Sequence, residues 1–522
     1  MRVHGVGGIV GVLAGVGLSL CGTVRAQGPT VEGIDSLVAR AMVTFHTPGM
    51  AVGVVENGGL VYARGHGVCE VGRPETVDAN TIFQIASLTK AFTAAALGIL
   101  VDEGKLGWDD PVIDYLPEFR MYDPWVTREF TIRDLLTHRS GLGLGAGDLL
   151  FWPEATSTIE DVIRAMRFLE PATSFRTAYA YDNLLYSIAG EVVARVSGLA
   201  WEDFVETRIF EPLGMTECGA VLAHVQENPN RATPHMMVDG RLETTFFNNQ
   251  RATASAGGIN CNINGLAKWA AMHLAGGALP NGDRLLSATT HSELWKPVTL
   301  IPVNDWDRET SRTHFSAYAL GWRLSDFFGY LKVSHGGALQ GMTSSIGLLP
   351  EKGVAVTALC NQWSDAPAVV TLEILNAYVS DTPTDWVATV AELHAEEANK
   401  AAEAVEDAFA ARNADSTPSL PLASYVGTYR DPWYGDVFVE ADDDGLVIRF
   451  GRSELLTGRL EHFQYDTFVA RWLDRSLNAD AYVTFILGAD GAVAAGRMKA
   501  VSSEADFSYD FHDLDLRRVV AD

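Results

Sequence analysis

Apolar residues alternate or run together in two short stretches near the start of the chain. Met50-Ala-Val-Gly-Val-Val55 and Leu60-Val-Tyr-Ala-Arg64 flank Asn57-Gly58-Gly59, which predicts two strands joined by a tight hairpin. After Thr81-Ile-Phe-Gln-Ile-Ala-Ser87, residues 90–103 are rich in Ala, Leu and Phe at helical spacing, with Gly104 as the stop. Residues 108–250 read as helical pieces broken by Gly and Pro. Thr131-Ile-Arg-Asp134 looks like a capping box, and helices are expected at 186–196 and 201–210. Beyond Gly257-Gly258 a helix at 266–274 leads into strands at 319–323, 330–334, 343–348 and 354–359, then an apolar helix at 366–380.

The pattern changes at the C-terminal end. Residues 390–413 are Ala/Glu-rich and helical, and Ala414-Asp-Ser-Thr-Pro-Ser-Leu-Pro421 reads as a linker. Short strands follow at 425–429, 436–440, 446–450, 468–472, 482–487 and 493–498, with turns at Asp443-Asp444-Gly445 and Asp490-Gly491. This spacing predicts a small antiparallel sheet or barrel. Asp442-Asp443-Asp444-Gly445 lacks the remaining ligands of a calcium loop and reads as a hairpin turn. The division expected is a leader at 1–26, a main domain at 27–385 with a helical lobe at about 108–250, a helix and linker at 386–421, and a β domain at 422–522.

Composition narrows the class. The 522 residues are 47% hydrophobic and 20% charged, which fits a globular chain and excludes disorder, collagen and coiled coil. The net charge of −27 argues against nucleic-acid phosphates and anionic lipid surfaces as partners. The first 26 residues carry Arg2, then an apolar run, then Val24-Arg25-Ala26, the pattern of a cleaved export signal. This predicts a periplasmic or secreted protein. Lipid attachment at Cys21 is disfavoured because Leu20 precedes it, and no later run is long enough for a membrane span. Four cysteines remain after residue 26, at 69, 218, 261 and 360, with no zinc spacing; neither metal nor cofactor is expected, and the pairing stays open.

The chemistry concentrates in three motifs. Ser87-Leu88-Thr89-Lys90 puts a hydroxyl and an ammonium on one face at a helix start. Serine is a poor nucleophile without a base, and a desolvated lysine at the positive end of a helix can become one. Tyr181-Asp182-Asn183 offers a phenol for proton transfer and an amide with donors and an acceptor. His335-Gly336-Gly337 offers an imidazole able to donate to a substrate group and glycines that let backbone approach a ligand. His138 reads as a turn-shaping residue, and His66 with Cys69 is too isolated for a metal site. Trp152 and Tyr179 read as packing; Trp322 is the best aromatic candidate for the substrate side.

In this order, with Leu135-Leu-Thr-His-Arg-Ser-Gly141, Phe210-Glu-Pro-Leu-Gly-Met215, Ala256-Gly-Gly258 and Gly337-Ala-Leu-Gln-Gly-Met342, the motifs resemble the serine beta-lactamase-like hydrolases over about residues 32–380. That family includes class C beta-lactamases, penicillin-binding proteins, D-aminopeptidases and esterases. The resemblance implies an α+β transpeptidase-like fold, an antiparallel sheet flanked by helices with an all-helical lobe. It also implies a small lipocalin-like C-terminal β domain, with a role in restricting the site or joining subunits into a homo-oligomer. It implies Ser87 as nucleophile, Lys90 as its base, Tyr181 as proton shuttle, Asn183 as orienting residue, and the N–H groups of Ser87 and Ala338 as oxyanion hole. Where many members carry Lys-Thr-Gly this chain has His335-Gly336-Gly337, so a carboxylate-binding ammonium is missing. Peptide, amide or ester substrates are therefore expected ahead of beta-lactams. Beta-lactamase or DD-peptidase activity stays an alternative, as does a non-catalytic penicillin-sensing or scaffold role.

Overall fold

The computed structural model describes residues 28–249 and 251–520. The expected leader at 1–26 and Cys21 lie outside the described residues. The predicted hairpin forms as strands β1 (Gly49–Glu56) and β2 (Gly59–Gly67). Its two-residue loop is Asn57-Gly58, both at positive φ, the geometry that matches the right-handed strand twist. Between the hairpin and the rest of the sheet lies the helical lobe. The other sheet strands are β3 (Thr299–Leu300), β4 (Ser316–Tyr318), β5 (Arg323–Phe327), β6 (Tyr330–Leu339), β7 (Met342–Leu349) and β8 (Val354–Cys360). Their order is β2-β1-β8-β7-β6-β5-β4-β3, every neighbour antiparallel.

Helices cover both faces, which explains why β1 and β8 are apolar without alternation. On one face lie α1 (Val31–Thr44) and, further along the chain, Ala366–Ala377 and Trp386–Ala410. On the other face α4 (Ile263–Leu274) packs on β1 and β8, while α2 (Thr89–Asp102) and α3 (Leu184–Ser197) pack on each other. Helix α2 is buried from Thr89 to Leu100, so it is hydrophobic all round as a central helix must be. The capping box at Thr131 and Asp134 forms as expected.

Of the strand expected at 319–323, only Arg323 lies in one, as the first residue of β5. Ala319 to Trp322 makes a turn closed by an Ala319 N–H bond to Trp322 O (2.8 Å), and Gly321 has φ +79°. A Cβ there would lie 2.8 Å from the Lys90 carbonyl, so the turn presses directly on α2. His335 also differs from expectation, lying in mid-strand rather than at a strand end.

The C-terminal part is a closed eight-stranded antiparallel barrel. Its strands are β9 (Gly427–Asp431), β10 (Gly435–Asp442), β11 (Gly445–Phe450), β12 (Thr457–Gln464), β13 (Thr467–Trp472), β14 (Ala481–Leu487), β15 (Val493–Ala500) and β16 (Leu516–Arg518). Two strands escaped the pattern: β12 is mostly polar, and β16 is three residues long and closes the seam between β9 and β15. The acidic run forms the β10–β11 turn, with Arg459 paired to Asp442 and Asp444.

The barrel does not hang free. Its buried side chains join the main core in one continuous cluster. Arg452 pairs with Asp161 (2.9 Å), and Gln340 donates to Ser476 O (2.6 Å). Within the main domain Cys218 and Cys261 form a disulfide, while Cys69 and Cys360 are free and buried. No helix among the described residues is long and apolar enough to cross a membrane.

Candidate active site

Ser87 sits in a 3-10 turn, Ala86–Leu88, that runs straight into α2. Ala86 is held at φ +52°, a left-handed conformation unusual for a residue with a side chain. The turn has a visible effect: between Thr81 and Lys90 every residue is buried except Ser87. Ser87 opens on a cavity of about 400 Å³. A second cavity of about 740 Å³, against α4 and lined by Met215 and Met272, includes none of the three motifs.

One turn after Ser87, Lys90 is fully buried and points back at it. Its Nζ lies 3.1 Å from Ser87 Oγ, 2.7 Å from Asn183 Oδ1 and 3.0 Å from Ala256 O. Burial pulls the Lys90 ammonium down to about 7; the neighbouring Asp148 and Asp182 pull weakly the other way. A neutral amine keeps two N–H groups and one lone pair. The two carbonyl-type acceptors, Asn183 and Ala256, claim the N–H groups, so the lone pair faces Ser87.

Tyr181 closes the other side. Lys90 Nζ is 4.8 Å from its ring centroid, and His138 stacks against it at 4.2 Å. Burial pushes the phenol above its ordinary pKa, against a smaller downward pull from its hydrogen bond with Ser87. Tyr181 is therefore a neutral phenol across the working range, a proton donor rather than a resting base. Asp182, between the two motif residues, accepts from Leu185 N–H (3.3 Å) at the start of α3, while its own N–H bonds His138 Nδ1 (3.1 Å). Burial raises its carboxyl to about 7.

Asn183 begins α3 and spans two partners. Its Oδ1 takes Lys90, and its Nδ2 donates to Asp148 Oδ2 at 2.7 Å. Asp148 carries no sequence motif, and burial pushes its carboxyl well above the usual range, helped by Asp510 and Asp182.

The third motif lies along β6. Gly337 is required by contact: a Cβ there would meet Ile85 O at 2.6 Å and Ala86 Cβ at 2.9 Å, the turn that carries Ser87. Gly336 is different, with only Ser344 O at 3.8 Å. The expectation that both glycines serve close approach holds for Gly337 alone. Ala338 lines the same cavity.

His335 corrects a second expectation. Its Nε2 bonds Tyr318 Oη (2.8 Å) and its Nδ1 bonds the Gly336 carbonyl (2.6 Å), so both ring nitrogens are occupied within the protein. Burial, with Arg323 and Lys90 nearby, lowers it to about 3 and keeps it neutral. It is a wall, not a free donor. Trp322 is the third correction. It is fully buried, edge-on to His273 at 5.0 Å and away from the cavity, where Trp152 and Tyr179 line the wall instead.

The next residue brings a cation to the same cavity. Arg323 starts β5, in register with Ser334, and reaches the cavity wall beside His335. It donates to Tyr179 Oη (2.7 Å) and lies within 6.0 Å of the Tyr179, Tyr181 and Tyr318 ring centroids. Among the described residues its side-chain hydrogen bond goes to this phenol, and no carboxylate pairs with it. Sequence reading missed Arg323 because only strand pairing sets it opposite the residue before His335. It missed Asp148 because no local pattern marks it.

Comparison with known proteins follows the same lines. The family described as Beta-lactamase matches residues 34–379, and a domain of unknown function, DUF3471, matches residues 411–518. The "Unguisins hydrolase ungD'" of Aspergillus campestris is 27% identical over 461 residues, covering 82% of this chain and 81% of that protein. Penicillin-binding protein 4 of Amycolatopsis lactamdurans is 29% identical over 328 residues, 60% of this chain and 81% of that protein. The structure of an octameric penicillin-binding protein homologue from Pyrococcus abyssi aligns with a TM-score of 0.58 at 22% identity, covering 91% of this chain and 99% of that one.

Proposed function

Because the chain belongs to the beta-lactamase family, we propose that it is a serine hydrolase that forms an acyl-enzyme on Ser87 and cleaves amide bonds whose leaving side carries a carboxylate. The observation that carries this reading is the buried Lys90, 3.1 Å from Ser87 Oγ and near neutrality at pH 7. A buried lysine of that kind is a general base in waiting.

In the first step Ser87 Oγ attacks the carbonyl carbon and its proton passes to the Lys90 lone pair. The N–H groups of Ser87 and Ala338 hold the resulting oxyanion, a contribution of a few kcal/mol in such sites. The leaving nitrogen takes the Tyr181 proton as the C–N bond breaks, and Lys90 re-protonates Tyr181. Lys90, neutral again, then takes a proton from water as its oxygen attacks the ester; Ser87 leaves with that proton and the acid departs. Asn183 keeps the Lys90 lone pair aimed.

Arg323 supports the carboxylate in this reading. It is a cation on the cavity wall with no acidic partner among the described residues, on the strand beside β6, where His335 is neutral. An arginine fork binds a carboxylate in two parallel hydrogen bonds.

The test has two arms. A fluorophosphonate should label the wild type and leave Ser87→Ala unlabelled; equal labelling sinks the hydrolase reading. Among hydrolysed peptides, those with a free C-terminal carboxylate should beat their amides, and Arg323→Ala should erase the preference by raising KM for the free acids. Nitrocefin in the same panel measures any beta-lactam turnover, and p-nitrophenyl esters measure the esterase alternative.

A further inference from the structure

The C-terminal barrel reaches into the site. The connection between β15 and β16 leaves the barrel, runs over the main domain and returns. Phe507 on this connection lies edge-on to Tyr181 at 6.1 Å and fills the space over Gly145. A Cβ on Gly145 would meet the Phe507 ring at 2.7 Å and its carbonyl at 2.8 Å. Asp510 accepts the N–H groups of Gly147 (2.6 Å) and Leu149 (3.1 Å), pinning the turn that holds Asp148. Ser508 Oγ donates to Asp148 Oδ2 at 2.8 Å, the same oxygen that takes the Asn183 amide. The other Asp148 oxygen is buried with no hydrogen-bond partner among the described residues.

A chain of single hydrogen bonds therefore runs from the barrel to the lysine: Ser508, Asp148, Asn183, Lys90. Its middle link has two possible orientations. With its oxygen toward Lys90, Asn183 accepts an N–H and leaves the lone pair for Ser87. Turned over, it would aim an NH2 group at Lys90 and occupy that lone pair. Asp148 selects the first orientation through Oδ2, which accepts from both Asn183 Nδ2 and Ser508 Oγ and so offers nothing to Oδ1, whichever charge the carboxyl carries. A proton on Oδ2 would instead donate to Oδ1, and Ser508 opposes this by donating to that oxygen.

We infer that Ser508, delivered by the C-terminal barrel, is a positioning residue for the Ser87 reaction, acting through Asp148 on the orientation of the Asn183 amide. The barrel is then part of the hydrolase machinery rather than an appendage. This rests on the acyl-enzyme reading above. The charged and titratable groups around the link are Lys90, Tyr181, Asp182, Asp510 and Asp506, whose carboxyl accepts the Ser508 N–H at 2.9 Å and is raised by burial.

The experiment uses the full chain and the second-order rate of fluorophosphonate acylation across pH 5 to 9. Ser508→Ala should still label to full stoichiometry, but about tenfold more slowly, the scale of one lost hydrogen bond. Its rate–pH midpoint should also move to lower pH, because Lys90 loses a well-placed acceptor in Asn183 Oδ1. Ser508→Thr, which keeps the hydroxyl, should restore rate and midpoint. Glu504→Gln, on the exposed part of the same connection, should change neither. A Ser508→Ala enzyme with wild-type rate and midpoint overturns the inference, while continued labelling at Ser87 leaves the hydrolase reading standing. A slower rate at an unmoved midpoint also overturns it, since general loosening would do that. If Ser508→Ala does not fold, Asp148→Ala must show the same slower rate and lowered midpoint, and an unmoved midpoint there has the same force.

Discussion

The sharpest consequence of a buried Lys90 is the shape of the rate–pH curve. Its ammonium is drawn down to about 7 by burial. The neutral fraction is then about 0.09 at pH 6, about 0.5 at pH 7 and about 0.9 at pH 8. Acylation of Ser87 should therefore rise about tenfold from pH 6 to pH 8 and level off above it. No other site group should bend the curve downward in that window. Tyr181 titrates above its ordinary range, and His335 near 3 is neutral throughout. Asp182 is one competitor, since burial holds its carboxyl at about 7 as well; burial raises Asp148 too. Asp182→Asn separates Lys90 from Asp182. If Lys90 is the titrating base, the limb persists and moves to lower pH, because an anion that stabilises the ammonium is gone. The assay is the second-order rate of fluorophosphonate labelling, buffered at constant ionic strength. A flat rate between pH 6 and 8, or one still climbing past pH 9 as an ordinary lysine would dictate, refutes the reasoning. So does a limb that vanishes in Asp182→Asn.

Gly337→Ala should cut the labelling rate at least a hundredfold, since its Cβ meets Ile85 O at 2.6 Å beneath the Ser87 turn, whereas Gly336→Ala should label within about threefold of wild type. The buried pair His273 and His291, 3.1 Å apart, should make stability pH-dependent. Burial lowers His291 to about 4 and His273 well below its usual value. Their unfolded values lie near 6.5, so the unfolded chain binds more protons between about 4 and 6.5, and stability present above 6.5 is lost as pH falls. The urea midpoint should drop from pH 7 to pH 5 more steeply in the wild type than in His291→Leu; parallel slopes would contradict it. Replacing Cys218 and Cys261 by serine opens a link across 43 residues. The chain-entropy cost is about 4 kcal/mol, read as a lower urea midpoint with labelling of the folded enzyme retained.

Local chemistry made much of this legible. The β1–β2 hairpin is written in Asn57-Gly58, both of which take the left-handed conformation. Helix α2 starts and stops where apolar periodicity and Gly104 put it. The three motifs converge on one cavity. The failures have a common physical cause, which is partners supplied by distant chain. Trp322 looked like a substrate aromatic but is caged by His273 and Trp295, which no spacing links to it. His335 looked like a donor until Tyr318 took one nitrogen and the Gly336 carbonyl the other. Strand β12 was missed because it is mostly polar and takes its pairing from β11 and β13, and β16 because barrel closure supplies its pairing. Asp148 and Ser508 are 360 residues apart, and neither sits in a pattern.

The charges of the site make sense only together. A fully buried lysine would normally be lost to desolvation, and a fully buried carboxylate equally so. Here Lys90 sits close to Asp148 and Asp182, which temper its fall, and Asp148 is itself tempered by hydrogen bonds from Asn183 and Ser508. Strip away the acids and the lysine would titrate lower still; strip away the burial and it would be an ordinary ammonium, useless as a base at neutral pH. The cation that many relatives place on the His335 strand would add like charge beside Lys90. Arg323 instead approaches from β5 and is screened by three tyrosine rings. It can meet a carboxylate at the cavity wall while the strand nearest Ser87 stays neutral through His335. That separation leads to a definite expectation for the double variant His335→Lys, Arg323→Ala. It keeps one cation in the cavity but moves it toward Lys90, so the acylation midpoint should fall below that of the wild type. A midpoint unchanged by this exchange would mean that the two cations do not sense each other.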